Sequence, residues 1–345
     1  DGSFKLEDMT PGYRFEYLIA PEDLPQVGIT PKEEVWREGH VVLYRYKAQV
    51  PADKVNKTPV FLVYALINRS YILDLRPGNS LIEFLVKNGQ DVYLVDWGDP
   101  VEEDKYLDLE FYIMNYIDKC VNKVRSLSGA DKINLFGWCI CGSFVAIYAA
   151  LHNEKLASLV TLTTPGSVAG GMLAVWSNKE YFDVDRIISV FGNIPGKFIR
   201  YGVIEIYADK EMMKNNIFYE NLNNPQFLQL YMLIEKWMND NVDFPGKVFK
   251  EYITNVFQNN NLFNKKLKIA GKTVDLKNIK CPYLNLAAQL DHLVPVDSSK
   301  ELNKYIGSEE NVFEVIPGGH VGLAFEPMAQ QVGWLKLLNW LKKHS

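Results

Sequence analysis

The sequence predicts an α/β fold: a doubly wound, mostly parallel sheet with an inserted helical cap. Three observations support this. Short apolar runs rich in β-formers alternate with helix-patterned segments up to Leu162. From Pro165 to about Lys280 the chain becomes helical in pattern, Asn-rich and aromatic, with little strand character. Strand-like runs then return at 283–287 and 312–316, and an amphipathic segment at 332–343 closes the chain. Strands alternating with helices favour a parallel sheet covered on both faces. The expected organisation is therefore a core from 1–165 and 281–345, with a helical cap inserted at 166–280.

The elements follow in order. Gly39 to Ala48 reads as a strand. Pro59 to Tyr64 is a short apolar run of the kind a buried strand shows. Ser80 is placed to cap a helix through Lys87, which Asn88-Gly89 would end. Asp91 to Val95 is the next strand. Over Asp108 to Leu127, Tyr112, Tyr116, Cys120 and Val124 fall on one helical face. Ile133 to Phe136 is a strand, Ile140 to His152 a helix, and Leu156 to Leu162 a further strand.

Composition narrows the class. The chain has 345 residues, 48% of them hydrophobic, enough for a large core. The formal net charge is -5 and cationic residues alternate with acidic ones, so nucleic acid binding has no electrostatic support. The longest apolar stretch, Leu135 to Leu151, is interrupted by two glycines and a serine and falls short of the ~20 residues of a membrane span. Asp1 as first residue points to a trimmed start, and no signal peptide is visible. Cys120, Cys139, Cys141 and Cys281 lack metal-ligand spacing, and free thiols in a reducing cytoplasm are expected.

The chemistry concentrates at Gly137-Trp138-Cys139-Ile140-Cys141-Gly142-Ser143. A buried strand runs into a sharp turn and then an apolar helix. This is the nucleophile elbow of an α/β-hydrolase fold, with cysteine at the nucleophile position. Cys139 would sit at a helix N-terminus, where the dipole favours its thiolate and the Ile140 amide can face an oxyanion. The second glycine of the usual box is replaced by Cys141. On the plainer reading, Cys139 and Cys141 are both ordinary buried thiols.

In this fold the acid and then the histidine follow the nucleophile. Asp291 comes just after the strand 283–287, and His320 stands among the glycines of Pro317-Gly318-Gly319-His320-Val321-Gly322 after the next strand. A turn cap and a surface histidine are the plain alternatives; three such residues in order at strand ends favour an active site. His292 adjoins Asp291 and is expected to support it. His40, His152 and His344 lie elsewhere. The second oxyanion donor should come from the loop after the strand 59–64, where Ile67 is favoured.

At this point the sequence resembles the class III polyhydroxyalkanoate synthases, and less closely the class IV and class I enzymes. The resemblance rests on VYALINRSYILDLRPGNSLIEFL (63–85), DVYLVDWGDP (91–100), YIDKCVNKV (116–124), the elbow, FGNIPG (191–196), IEKW (234–237), DHLVP (291–295) and PGGHVGL (317–323). It implies polymerisation of (R)-3-hydroxyacyl-CoA, in particular 3-hydroxybutyryl-CoA, into a polyester with release of coenzyme A. The nucleophile falls on Cys139, the acid on Asp291 and the base on His320. No cofactor or metal is implied, since coenzyme A arrives with the substrate. It also implies a growing polyester chain, a separate non-catalytic subunit, and a cytoplasmic location at polyester granules; a homo-oligomer is left open. The family usually has Gly in place of Cys141, and often an acidic, aromatic segment where this chain has Thr164-Pro165-Gly166-Ser167-Val168. The competing readings are a cysteine-dependent hydrolase, such as a thioesterase or dienelactone-hydrolase-like enzyme, and a non-catalytic scaffold or granule-binding protein.

Overall fold

A computed structural model describes residues 26–167, 170–206 and 208–345. Val168 and the first 25 residues, which open the expected core, lie outside the described residues. The centre is an eight-stranded sheet. Its strands are β1 (Lys32–Glu38), β2 (Val41–Tyr46), β3 (Val60–Val63), β4 (Val92–Asp96), β5 (Ile133–Trp138), β6 (Leu156–Leu162), β7 (Tyr283–Ala288) and β8 (Asn311–Ile316). They lie in the order β1-β2-β4-β3-β5-β6-β7-β8. β2 runs antiparallel to β1 and β4, and every pair from β4 to β8 is parallel. The C-terminal ends of six strands therefore share one edge of the sheet, where loops carry chemistry.

The inner strands read as continuous apolar runs because both faces are covered: every residue of β3, β5 and β7 is buried. The covering helices are α1 (Leu81–Lys87), α2 (Asp118–Ser128), α3 (Ile140–Leu151), α10 (Val296–Tyr305) and α11 (Leu335–Lys343). Ser80 caps α1, accepting the Glu83 amide at 2.9 Å. The helix expected from Asp108 begins as a π-helical segment, Phe111–Ile117, and becomes α2. Tyr112, Tyr116, Cys120 and Val124 are all buried, with the two tyrosine rings against Trp97. The strand β1 was not anticipated. Lys32-Glu33-Glu34 is poor strand sequence, but it lies at the sheet edge, where charge discourages pairing with another chain.

Between β6 and β7 the chain adds no strand to the main sheet. It forms α4 (Ala174–Ser177), α5 (Val184–Phe191), α6 (Gly196–Ile206), α7 (Ala208–Glu220), α8 (Pro225–Asn239) and α9 (Gly246–Tyr252). Most of its aromatic residues pack on one another: Trp176 meets Phe182, Phe249 and Phe257, while Phe218 and Phe227 both meet Tyr231. Phe191 and Tyr219 are exposed. A polar network fixes the sheet under one of the site loops. The buried Asn285 of β7 accepts from Thr161 of β6 at 3.0 Å and donates to Asn303 and the Ser299 carbonyl of α10, both at 2.8 Å.

Candidate active site

Cys139 lies between β5 and α3 with φ 53° and ψ -123°. A positive φ is uncommon for a residue with a Cβ and marks a turn held under strain. Neighbours enforce it: the Cys139 amide donates to the Leu162 carbonyl at 2.8 Å, and its own carbonyl accepts the Gly142 amide at 2.9 Å. The turn leaves no room for side chains at two flanking positions. A Cβ on Gly137 would stand 2.3 Å from Val145 Cγ2, and one on Gly142 would stand 1.7 Å from Thr164 Oγ1. The glycine that close packing demands on the helix side is therefore Gly142.

Position 141, by contrast, has space for a side chain. The Cys141 thiol is fully buried beside the Leu66 amide and the Trp97 ring. Burial, and then the neighbouring Cys139, push its pKa well up, which keeps it a neutral thiol. The departure from the usual box thus places a small polarisable group against the loop that carries Ile67.

The acid and the histidine meet across the ends of β7 and β8. Asp291 is buried, and its Oδ1 accepts the Leu293 amide at 2.9 Å and the Val294 amide at 2.8 Å. Its Oδ2 accepts a hydrogen bond from His320 Nδ1 at 2.7 Å. Their loops are tied by backbone bonds, with the Gln289 amide on the Ile316 carbonyl and the Leu290 amide on the Gly318 carbonyl, at 2.8 and 2.9 Å. On its other side His320 is in hydrogen-bonding contact with Cys139. Burial opposes the His320 cation, but the charges of Asp291 and Cys139 and their hydrogen bonds outweigh it and raise the pKa from 6.5 to about 10. His292 is exposed, and the contacts to the Asp291 carboxylate described above come from Leu293, Val294 and His320 instead.

A mainly apolar cavity of ≈ 140 Å³ opens over Cys139. Ile67, Ile140, Leu293 and Val321 form its floor, and Trp176, Ile199, Arg200, Trp237 and Met238 of the helical stretch wall it. The amides of Ile67 and Ile140 have no backbone acceptor among the described residues, which leaves both available to an oxyanion. Arg200 and Met238 escaped the sequence reading. Arg200 is half-buried and donates to the Met238 carbonyl at 2.7 Å, and nothing in its local sequence distinguishes it from a surface cation. Among the described residues no cluster of side chains is suited to a metal, and no helix is long and apolar enough to cross a membrane.

The loop after β3 is also held by the helical stretch. Asn68 pairs with Asn241 in an antiparallel bridge, and the Val242 amide meets the Ile67 carbonyl at 3.4 Å. Trp237 Nε1 donates to the Arg69 carbonyl at 2.7 Å, and the Arg69 guanidinium pairs with Asp240 at 3.0 Å and Asp99 at 2.6 Å.

The raised pKa of His320 has a consequence for stability. A histidine that gains a proton-binding site on folding stabilises the fold fully below its unfolded pKa of 6.5 and loses that contribution as pH rises through about 10. The melting-temperature gap between the wild type and His320→Gln should therefore be widest below pH 6.5 and shrink toward pH 10. A gap that widens with pH would show that His320 is neutral in the fold.

Comparison with known proteins agrees with this geometry. The family described as alpha/beta hydrolase fold matches residues 58–201, and the one described as Poly-beta-hydroxybutyrate polymerase (PhaC) N-terminus matches residues 25–85. Among solved structures, a monoacylglycerol lipase from Paleococcus ferrophilus shares 18% identity at a TM-score of 0.53, covering 88% of this chain and 99% of its own. A soluble variant of monoglyceride lipase from Saccharomyces cerevisiae shares 11% at 0.59, covering 93% and 96%. These likenesses show the fold. The poly(3-hydroxyalkanoate) polymerase subunit PhaC of Allochromatium vinosum is 36% identical over 96% of this chain and 94% of its own. That of Thiocystis violacea is 37% identical over 94% and 91%. The longer protein of Haloferax mediterranei is 36% identical over 92% of this chain, which spans 65% of its length. With an α/β-hydrolase sheet, a cysteine elbow and relatives of this identity along nearly its whole length, the chain belongs to the poly(3-hydroxyalkanoate) polymerase (PhaC) family.

Proposed function

We propose that the chain polymerises (R)-3-hydroxyacyl-CoA, with 3-hydroxybutyryl-CoA as the acyl donor, through a covalent thioester on Cys139. The observation that carries this is the contact series Cys139–His320–Asp291 under an apolar cavity, in a chain of this family. The region 166–280 acts as a cap on a core of 1–165 and 281–345. His320 takes the proton of Cys139, and the thiolate attacks the thioester carbonyl. The amides of Ile140 and Ile67 receive the oxyanion, and coenzyme A leaves as its thiol with the proton from His320. One thioester replaces another, so the acyl group stays activated.

Acylation also changes the base. Once Cys139 is a neutral thioester, its charge and hydrogen bond no longer support the His320 cation, while burial continues to oppose it. His320 then becomes free to accept the proton of the 3-hydroxyl of a second hydroxyacyl-CoA, whose oxygen attacks the acyl carbonyl. An ester forms as the C–S bond to Cys139 breaks. The freed Cys139 thiolate then takes the lengthened chain from coenzyme A, which leaves as its thiol with the proton from His320. Asp291 holds the ring and balances the cation. Water would end the chain, and the apolar wall of Trp176, Ile199, Trp237 and Met238 keeps it out. His292, beside Asp291, is assigned a supporting position only.

The experiment is rapid quench with labelled 3-hydroxybutyryl-CoA, following thiol release and product. The wild type should give insoluble polyester; free hydroxyacid as the sole product would make it a thioesterase. Asp291→Asn should keep a first burst of coenzyme A release, because a thiol ionises far more readily than an alcohol, and slow elongation by about tenfold or more. Equal loss of burst and steady rate would place Asp291 in the cysteine step instead.

The relatives from Allochromatium and Thiocystis are named as subunits. In the class III arrangement a second, non-catalytic subunit completes the enzyme, and the pair works in the cytoplasm at the granule surface. The chain alone should show a long lag and low activity that a co-purified partner removes. Immediate full activity from the verified single chain would contradict this arrangement.

A further inference from the structure

Gly318, Gly319 and Gly322 surround His320, and the sequence implies that this loop must come close to something. The structure identifies it. A Cβ on Gly322 would stand 2.1 Å from Glu326 Oε1, and one on Gly318 would stand 2.8 Å from Glu326 Oε2. Gly319 has open space at that position, but its amide donates to the Glu326 carboxylate. The Glu326 backbone closes the same turn, its amide meeting the Gly322 carbonyl at 2.7 Å. Glu326 is half-buried, and among the described residues no lysine or arginine pairs with it. Burial raises its carboxyl pKa, and the Gly319 amide opposes that rise.

We propose that Glu326 is a positioning residue for His320, its carboxylate filling the hollow of loop 318–322 and holding the ring between Asp291 and Cys139. The inference rests on the reading of His320 as the base. Two of the three glycines are then accounted for by one side chain: any Cβ at 318 or 322 would push the carboxylate out. Gly318 is constrained twice, because its φ of +134° also disfavours a side chain. The 2.7 Å bond from His320 Nδ1 to Asp291 tolerates little drift of the loop, since misplacement near 1 Å costs catalysis by as much as ~100-fold.

The test uses alkylation of Cys139 by iodoacetamide across pH, with coenzyme A release measured in parallel and melting curves as a folding control. Alkylation needs no acyl-CoA, so a wrong polymerase assignment would appear in the wild-type products and leave this comparison intact. In the wild type the His320 ring beside Cys139 sets the pH profile of alkylation. Glu326→Ala should lower acid-side reactivity by about tenfold and move the profile toward that of an ordinary thiol. Glu326→Gln, which can still accept the Gly319 amide, should remain near the wild type. Gly322→Ala should mimic Glu326→Ala, and the double variant should lose no more than either single one, because both remove the same contact. An unchanged profile in Glu326→Ala or Gly322→Ala, additive losses in the double variant, or a tenfold loss in a folded Glu326→Gln would each overturn the proposal.

Discussion

The strained turn at Cys139 is the constraint on which the rest of the site depends. A cysteine at φ 53° can persist only if its surroundings determine it fully. Here β5 delivers the chain, the Leu162 carbonyl of β6 holds the Cys139 amide, and α3 starts at once behind it. The glycines at 137 and 142 allow strand, helix and Thr164 to close around the turn. The strain gives the thiol a position at a helix N-terminus, above the sheet and beneath the cavity. His320 and Asp291 then need only reach this point from two neighbouring strand ends.

A polymerase of this kind must activate an acyl group and keep water from it. The same helical stretch serves both needs. Trp176, Trp237 and Met238 wall the cavity, and residues 237–242 grip the loop that presents the Ile67 amide. The ion pairs from Arg69 to Asp240 and Asp99 are partly exposed and contribute little energy individually. Their value is geometric, together with the indole bond to the Arg69 carbonyl. Cys141 lies against the same loop at the Leu66 amide. The loop that carries the Ile67 amide is thus set by parts of the chain far apart in sequence.

That distance explains what was legible beforehand. Seven of the eight strands show as apolar runs because burial on both faces, or on one, leaves a local pattern. The order Cys139, Asp291, His320 was readable because each lies at or just beyond the C-terminal end of a strand. β1 was missed because its Lys-Glu-Glu start serves the sheet edge and not a core. The usual box has its second glycine at position 141, where this chain has cysteine, and only the packing of Thr164 shows that the glycine required on the helix side is 142. Arg200, Met238 and Glu326 carried no local signal; their roles arise from contacts that only the folded chain creates. Among the aromatic residues of the helical stretch, Trp176 and Trp237 line the cavity, and Phe218, Phe227 and Tyr231 pack together.

In the proposed mechanism the growing acyl chain is carried on Cys139. Acid quenching of the enzyme during turnover of 3-hydroxybutyryl-CoA, followed by peptide mapping by mass spectrometry, tests it most directly. A hydroxylamine-labile thioester should appear on the peptide that contains Cys139, bearing one and then several 3-hydroxybutyryl units. Acylation confined to another residue, or turnover to polymer with Cys139 free throughout, would contradict it.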